Sequence, residues 1–217
     1  MTTPRVIRLK ELERVIQLVP FFRNPSVRLE QYATPSTLAA RLLWLAETVY
    51  SDIYSRSVLD LGAGTGRLGI GAAYMGAHLS VLVEIDVEAL SLAREAARRL
   101  GLSNVGFVLA DARLPPFRPG SFDTVVENPP FGVHRRGADI EFLRSAALVG
   151  CTVYTIHKKT TLRYVVNRAR EYGCSDIEVI YEDRICIPHL FQFHKKRVHC
   201  VDIVVLRLDC RGVCGER

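Results

Sequence analysis

None of the six cysteines (Cys151, Cys174, Cys186, Cys200, Cys210, Cys214) forms a C-x-x-C pair, and no histidine stands at zinc-finger spacing from one. That argues against a structural metal. Nor is there an uninterrupted apolar run for a membrane span or secretory leader: Arg8, Lys10, Glu11, Glu13 and Arg14 mix both charges before Pro20. The chain is therefore expected in the cytoplasm. There the cysteines are expected to be free, partly buried thiols, with a disulfide as the alternative if the source is a hyperthermophile. No internal repeat or low-complexity tract interrupts the 217 residues. That length suits one domain over 1–217 and leaves little for a second that selects a target.

The charge excess is basic: 29 Lys and Arg oppose 23 Asp and Glu, for a net +6. Such an excess favours polyanionic partners only where the charges cluster, and otherwise serves solubility.

Short Val, Ile and Leu runs at Ser57 to Leu61, Leu79 to Ile85, Val105 to Leu109 and Phe122 to Glu127 read as buried strands. Between them, Arg67 to Met75 and Val87 to Leu100 carry helical spacing, with Gly76 and Gly101 as stops. The alternation continues through a helix at Ile140 to Leu148, a strand at Thr152 to Ile156 and a helix at Leu162 to Tyr172. Strand-like Ile177 to Tyr181 and Val201 to Leu208 flank the polar stretch Glu182 to Cys200 and suggest an antiparallel end. The fold class is α/β: a Rossmann-like, mostly parallel seven-stranded sheet with a terminal antiparallel strand and helices on both faces. Its core spans 57–210, and 1–50 form a helical extension. Within that extension a helix at Pro35 to Val49 is expected, with Thr34 as its cap.

The run Val58-Leu59-Asp60-Leu61-Gly62-Ala63-Gly64-Thr65-Gly66 is a strand entering a glycine turn that opens a helix. Gly62, Gly64 and Gly66 permit close backbone approach to a ligand beyond the strand ends. About 20 residues on, Val83-Glu84-Ile85-Asp86 places Glu84 to grip ribose hydroxyls, with Ile85 beside it. Asp86 reads as the cap of the following helix. After the third strand, Asp111 can accept an adenine amino group while the backbone at Ala112 reads the ring edge. Pyrophosphate would seek the helix N-terminus; Asp60 ahead of the glycines instead suits the ammonium of S-adenosylmethionine, which has no phosphate and leaves as S-adenosylhomocysteine.

Asn128-Pro129-Pro130-Phe131-Gly132 follows the fourth strand and is the more specific signal. An amino group on a conjugated plane is a poor nucleophile because its lone pair is delocalised. The Asn128 side-chain oxygen and Pro129 carbonyl can accept its two N–H bonds and steer the lone pair to a methyl carbon, while Pro130 stiffens the turn and Phe131 stacks on the planar substrate. Positioning supplies most of the acceleration and no general base is required.

With these motifs the chain resembles the class I methyltransferases that carry N-P-P-[FY]. More narrowly, it is similar to the archaeal and eukaryotic small-subunit ribosomal RNA N6-adenosine methyltransferases. The matching segments are Leu29 to Thr34, Asp60 to Gly66, Asn128 to Gly132, Gly137 to Asp139, Val153 to Lys158 and Phe193 to Lys196. The resemblance implies that Gln31, Tyr32 and Thr34 close over the cofactor. Ala33, where the family more usually has proline, and Glu84, where it has aspartate, depart from the pattern. It also implies a small zinc-binding activator protein that pairs with a sheet edge, expected here at Val105 to Leu109, which lacks the Lys or Pro that discourages pairing. A cover supplied by the N-terminal 25 residues is the alternative.

The substrate reading is structured RNA, recognised by shape and phosphate contacts with an unpaired adenine entering the pocket. Arg135 and Arg136, His157 and Lys158, and His194, Lys195 and Lys196 would form a phosphate-binding rim. DNA adenine methylation needs base-edge reading, for which the chain has little room. Glutamine methylation in a protein uses a similar amino group but goes with a large N-terminal helical domain. A non-catalytic binding module would not need the intact Asn128 motif.

Overall fold

The computed structural model describes residues 7–132, 135–188 and 198–214. His189, His194, Lys195 and Lys196 lie outside the described residues. Strands β1 (Ser57–Leu61), β2 (Leu79–Glu84), β3 (Val105–Leu109), β4 (Phe122–Glu127), β5 (Gly150–Lys158), β6 (Ile177–Pro188) and β7 (Val198–Asp209) form one sheet. Their order is β3-β2-β1-β4-β5-β7-β6. β3 through β5 pair in parallel, and β7 lies antiparallel between β5 and β6. The doubly wound sheet with an antiparallel end is thus the fold that forms.

The parallel strands are apolar on both sides because helices cover both faces. Side chains alternate across the pleat. Val58, Val126, Tyr154, Ile156 and Val205 face α1 (Leu9–Gln17), α2 (Ser36–Thr48) and α3 (Arg67–Tyr74). Leu59, Val125, Val153 and Leu206 pack under α5 (Ala138–Val149) and α6 (Leu162–Glu171). α4 (Val87–Arg99) closes a smaller cluster with Leu82 and Ile70. Asp86 caps α4, its carboxylate accepting from the Glu88 N–H at 2.9 Å. Among the described residues no helix is long and apolar enough to cross a membrane.

Three expectations need correction. Thr34 does not cap α2: Pro35 holds the cap position with no side-chain bond, and the Thr34 hydroxyl is drawn into the site below. The connection expected from Glu182 is largely strand, because β6 runs on to Pro188 with Ile185 buried and Glu182 and Arg184 exposed, a pattern an antiparallel hairpin tolerates. The cysteines are not free thiols. Cys186 stands directly opposite Cys200 in the β6–β7 register, and the two form a disulfide. A second joins Cys174 to Cys210 where the turn after α6 meets the end of β7, and Cys151 is also disulfide-bonded.

β3 is an edge of the sheet, as expected, and among the described residues no strand pairs with its outer side. The N-terminal helix does not cover it: α1 turns Leu12 and Ile16 into the core beneath α2 and α3. At the opposite edge, β6 presents Glu178, Glu182 and Arg184.

The Cys174–Cys210 bridge closes a 36-residue separation, and loop-closure entropy makes that worth about 3–4 kcal/mol. Thermal unfolding with and without a strong reductant checks this: a large fall in Tm is expected, and an unchanged Tm would mean thiols.

Candidate active site

The site is built at the carboxyl ends of β1, β2, β3 and β4, the crevice where open α/β sheets take ligands. At the end of β2, Glu84 is buried, and its Oε2 accepts from the Gly64 N–H at 2.7 Å. Its Oε1 accepts from the N–H groups of Ile85 and Asp86, each at 2.9 Å. Burial raises its pKa against the pull of those three donors. In β1, Asp60 is 1% exposed and accepts from the Gly69 N–H at 2.7 Å. Burial pushes its carboxyl up to about 7, with the Gly69 bond pulling down and Glu84 adding to the rise. The turn between carries Gly62 and Gly64 at φ +73° and +56°. A Cβ would stand 2.5 Å from the Phe142 ring at Gly62 and 2.8 Å from the Phe22 ring at Gly64, so only glycine fits this cradle.

The cradle opens into a cavity of about 400 Å³. Gln31, Tyr32, Thr34, Asp60, Gly62, Gly64, Glu84, Ile85, Asp111, Ala112, Asn128 and Pro130 all line it, as do Arg113 and Arg135. Gly66 does not: it is the N-cap of α3, packed against Leu82 and Ala93. Pro129 and Phe131 are buried beside the cavity rather than lining it. The carboxylate of Asp111 is gripped by the Arg113 guanidinium, with Nε at 2.8 Å, and this holds it below the usual carboxylate range. The carboxylates of Asp60 and Glu84 beside the glycine cradle suit a ligand with hydroxyls and an ammonium group. The donor set fits S-adenosylmethionine: a buried Asp60 for an ammonium, Glu84 for hydroxyls, and the half-exposed Ile85 as an apolar wall.

Asn128 is held from both sides. Its Nδ2 donates to Thr34 Oγ1 at 3.0 Å, and its Oδ1 accepts from the Tyr32 hydroxyl at 3.2 Å. Burial drives the pKa of Tyr32 far up, so the phenol stays a donor. Phe131 is 9% exposed, its ring 5.6 Å from that of Tyr32 and 5.6 Å from Lys158 Nζ. In this closed arrangement Tyr32 therefore lies against the ring surface that was expected to receive the planar substrate.

Gln31, which lines the cavity, also makes contacts of its own. Its Nε2 donates to Asp86 Oδ2 at 2.7 Å and its Oε1 accepts from the Ser26 N–H at 2.7 Å. It clasps the 26–34 segment to the head of α4. The sequence offered no sign of Arg67, whose buried guanidinium donates to the carbonyls of Thr34 (2.8 Å) and Val19 (3.3 Å) under the Phe21 ring. Phe22 and Phe142 were missed too, since only the fold brings them to the glycines.

Of the expected basic rim, Arg136 is exposed and Arg135 pairs with Glu141 at 2.7 Å beside the cavity. Lys158 is half-buried against Phe131. His157 is removed from the rim: it is 1% exposed, with Nδ1 facing Asp139 at 3.6 Å. A ring with no water around it offers a phosphate nothing.

The methyltransferase small domain family matches residues 39–180. The chain is 38% identical to the rRNA N(6)-adenosine-methyltransferase METTL5 of Danio rerio, over 92% of this chain and 96% of that one. It is 35% identical to the Mettl5 protein of the same name in Drosophila melanogaster, over 94% and 97%. The crystal structure of PH1948 from Pyrococcus horikoshii superposes with a TM-score of 0.81 at 34% identity, covering 94% of this chain and 98% of that one. The glycine cradle, the tethered Asn128 and these full-length relatives agree: the chain belongs to the methyltransferase small domain family, among its METTL5-type rRNA N(6)-adenosine-methyltransferases.

Proposed function

We propose that this chain methylates the exocyclic N6 amino group of an adenine in structured RNA, small-subunit ribosomal RNA first, using S-adenosylmethionine and acting in the cytoplasm. The observation that carries the reading is the tethered amide of Asn128, set beside a cradle that suits a cationic nucleoside. S-adenosylmethionine supplies, when bound, a methyl group on a positively charged sulfur. Asp60 binds its ammonium and Glu84 its ribose hydroxyls; Asp111 and the backbone at Ala112 read its adenine edge. Gln31, Tyr32 and Thr34 close the cavity and exclude water.

With Thr34 on the Nδ2 side of Asn128, the Oδ1 side is the acceptor presented to substrate. Tyr32 uses one lone pair of Oδ1, and a second remains for the incoming amino group. With the Pro129 carbonyl taking the other N–H, the nitrogen lone pair is turned out of conjugation. Neither oxygen is a base, so the surplus proton departs after transfer. Glutamine methylation would use the same two acceptors, but relatives that span more than nine-tenths of the chain carry rRNA adenosine names. Tritiated methyl transfer to deproteinised ribosomal RNA, then nucleoside digestion and mass spectrometry, tests the reading; label in protein or DNA alone would refute it.

Cytoplasmic action and disulfides coexist where intracellular cystines persist, as in hyperthermophiles. For partners, we take β3 as the seat of a small zinc-binding activator that adds a strand there. Its exposed edge and the 58% exposed Leu109 support this.

Asn128→Ala is expected to leave cofactor affinity within about threefold and to lower kcat by roughly a hundredfold, as for a contact made in the transition state. Glu84→Ala is expected to weaken cofactor binding instead, and calorimetry with single-turnover kinetics separates the two. Reversing Arg136 to Glu is expected to reduce the slope of log K against log salt for RNA by about 1 per lost phosphate contact and to leave cofactor affinity alone; the same change at Arg135, which lines the cavity, is expected to affect both. Lys158, His194, Lys195 and Lys196 belong to the same rim. Co-expression with an activator is expected to raise solubility, and Val108→Lys to abolish the gain; no complex and a harmless Val108→Lys would remove the partner.

A further inference from the structure

Behind Asn128 lies a buried polar cluster that the mechanism above leaves unused. Glu127, the last residue of β4, is fully buried; its Oε1 accepts from the Thr155 hydroxyl at 2.8 Å, and its Oε2 has no hydrogen-bond partner. The same hydroxyl lies 2.9 Å from His157 Nε2. On its other side His157 Nδ1 faces Asp139 Oδ2 at 3.6 Å. Asp139 is the second residue of α5, and its Oδ1 stands 3.8 Å from where a Cβ on Gly132 would be. The four side chains thus lead from the residue before Asn128 to the helix that follows the 128–137 turn.

Thr155 has one proton to give, and Glu127 Oε1 receives it. The other oxygen of the buried carboxylate is left without a donor, which is costly for the ionised form. Burial accordingly pushes Glu127 up to about 8, and Asp139 adds to the rise. The titratable groups facing Glu127 are His157 on β5 and Asp139 on α5. Burial would raise Asp139 too, but His157 overrides that and holds it below its ordinary value.

We propose that His157 is a positioning residue for the catalytic turn: through Nδ1 it holds Asp139, and with it the head of α5, in a fixed place relative to β4 and β5. The inference rests on the methyl-transfer reading above. Gly132 and Gly137, which precede Asp139 on the way into α5, stand at φ +70° and +83°, a region open to glycine. Well-packed apolar residues would hold the sheet there at least as firmly as buried charge. What a linked polar cluster adds is a defined distance between β4, β5 and the head of α5.

Two substitutions separate the contacts. Asparagine carries its amide nitrogen where Nδ1 lies, so His157→Asn keeps the donor toward Asp139; His157→Gln keeps the partner of Thr155 and loses Asp139. With full-length protein, His157→Gln and Asp139→Asn are expected to lower kcat by about tenfold or more, with KM for ribosomal RNA and the calorimetric Kd of the cofactor unchanged. His157→Asn is expected to retain most of kcat. Glu127→Gln is expected to remove an inflection of log kcat near pH 8. Amide hydrogen exchange across 131–140, with neither RNA nor cofactor present, is expected to speed up in His157→Gln and Asp139→Asn and not in His157→Asn. Wild-type kcat and exchange in His157→Gln, or a kcat loss that merely follows Tm, overturns the proposal. If wild type transfers no methyl group to RNA, the functional reading fails, and the exchange comparison alone decides this one.

Discussion

Two carboxylates sit at the ends of adjacent parallel strands with almost no water around them, and each must be answered by backbone N–H groups. Glu84 takes the Gly64 N–H and Asp60 the Gly69 N–H, which pulls the turn after β1 back over the sheet and starts α3 at a set height. A turn drawn in so tightly has no room for side chains, hence glycine at 62 and 64, and the rings of Phe142 and Phe22 close in behind. The depth of the cavity and the two carboxylates at its glycine end follow from that one arrangement.

The parts of this fold visible in the sequence are those that local pattern dictates. β1 and β4 form over the expected residues because a strand buried on both faces is an apolar run bounded by turns, and β3 does so although it is only half-buried. Asp86 caps α4 because a cap is read from neighbours in sequence. The glycine cradle and Asn128 likewise announce themselves by residue type. Pairings made only by the fold stayed hidden. The Thr34 hydroxyl had a local use as a cap and a distant one at Asn128, and the distant one won. His157 and Lys158 look alike as a basic pair, yet the period of a strand sends one inward to Asp139 and the other toward Phe131. The cystines depend on a β6–β7 register that a polar, alternating stretch does not reveal.

The segment from Ser26 to Thr34 joins regions that sequence keeps far apart. Gln31 fastens it to α4, Arg67 to α3, and Tyr32 with Thr34 to the amide of Asn128. It is at once the roof of the cavity and the support of the catalytic amide.

Asn128 is held by that roof, so cover and support are made of the same few side chains. Neither can be altered without touching the other, and a substitution at Tyr32 or Thr34 reaches both grip and chemistry.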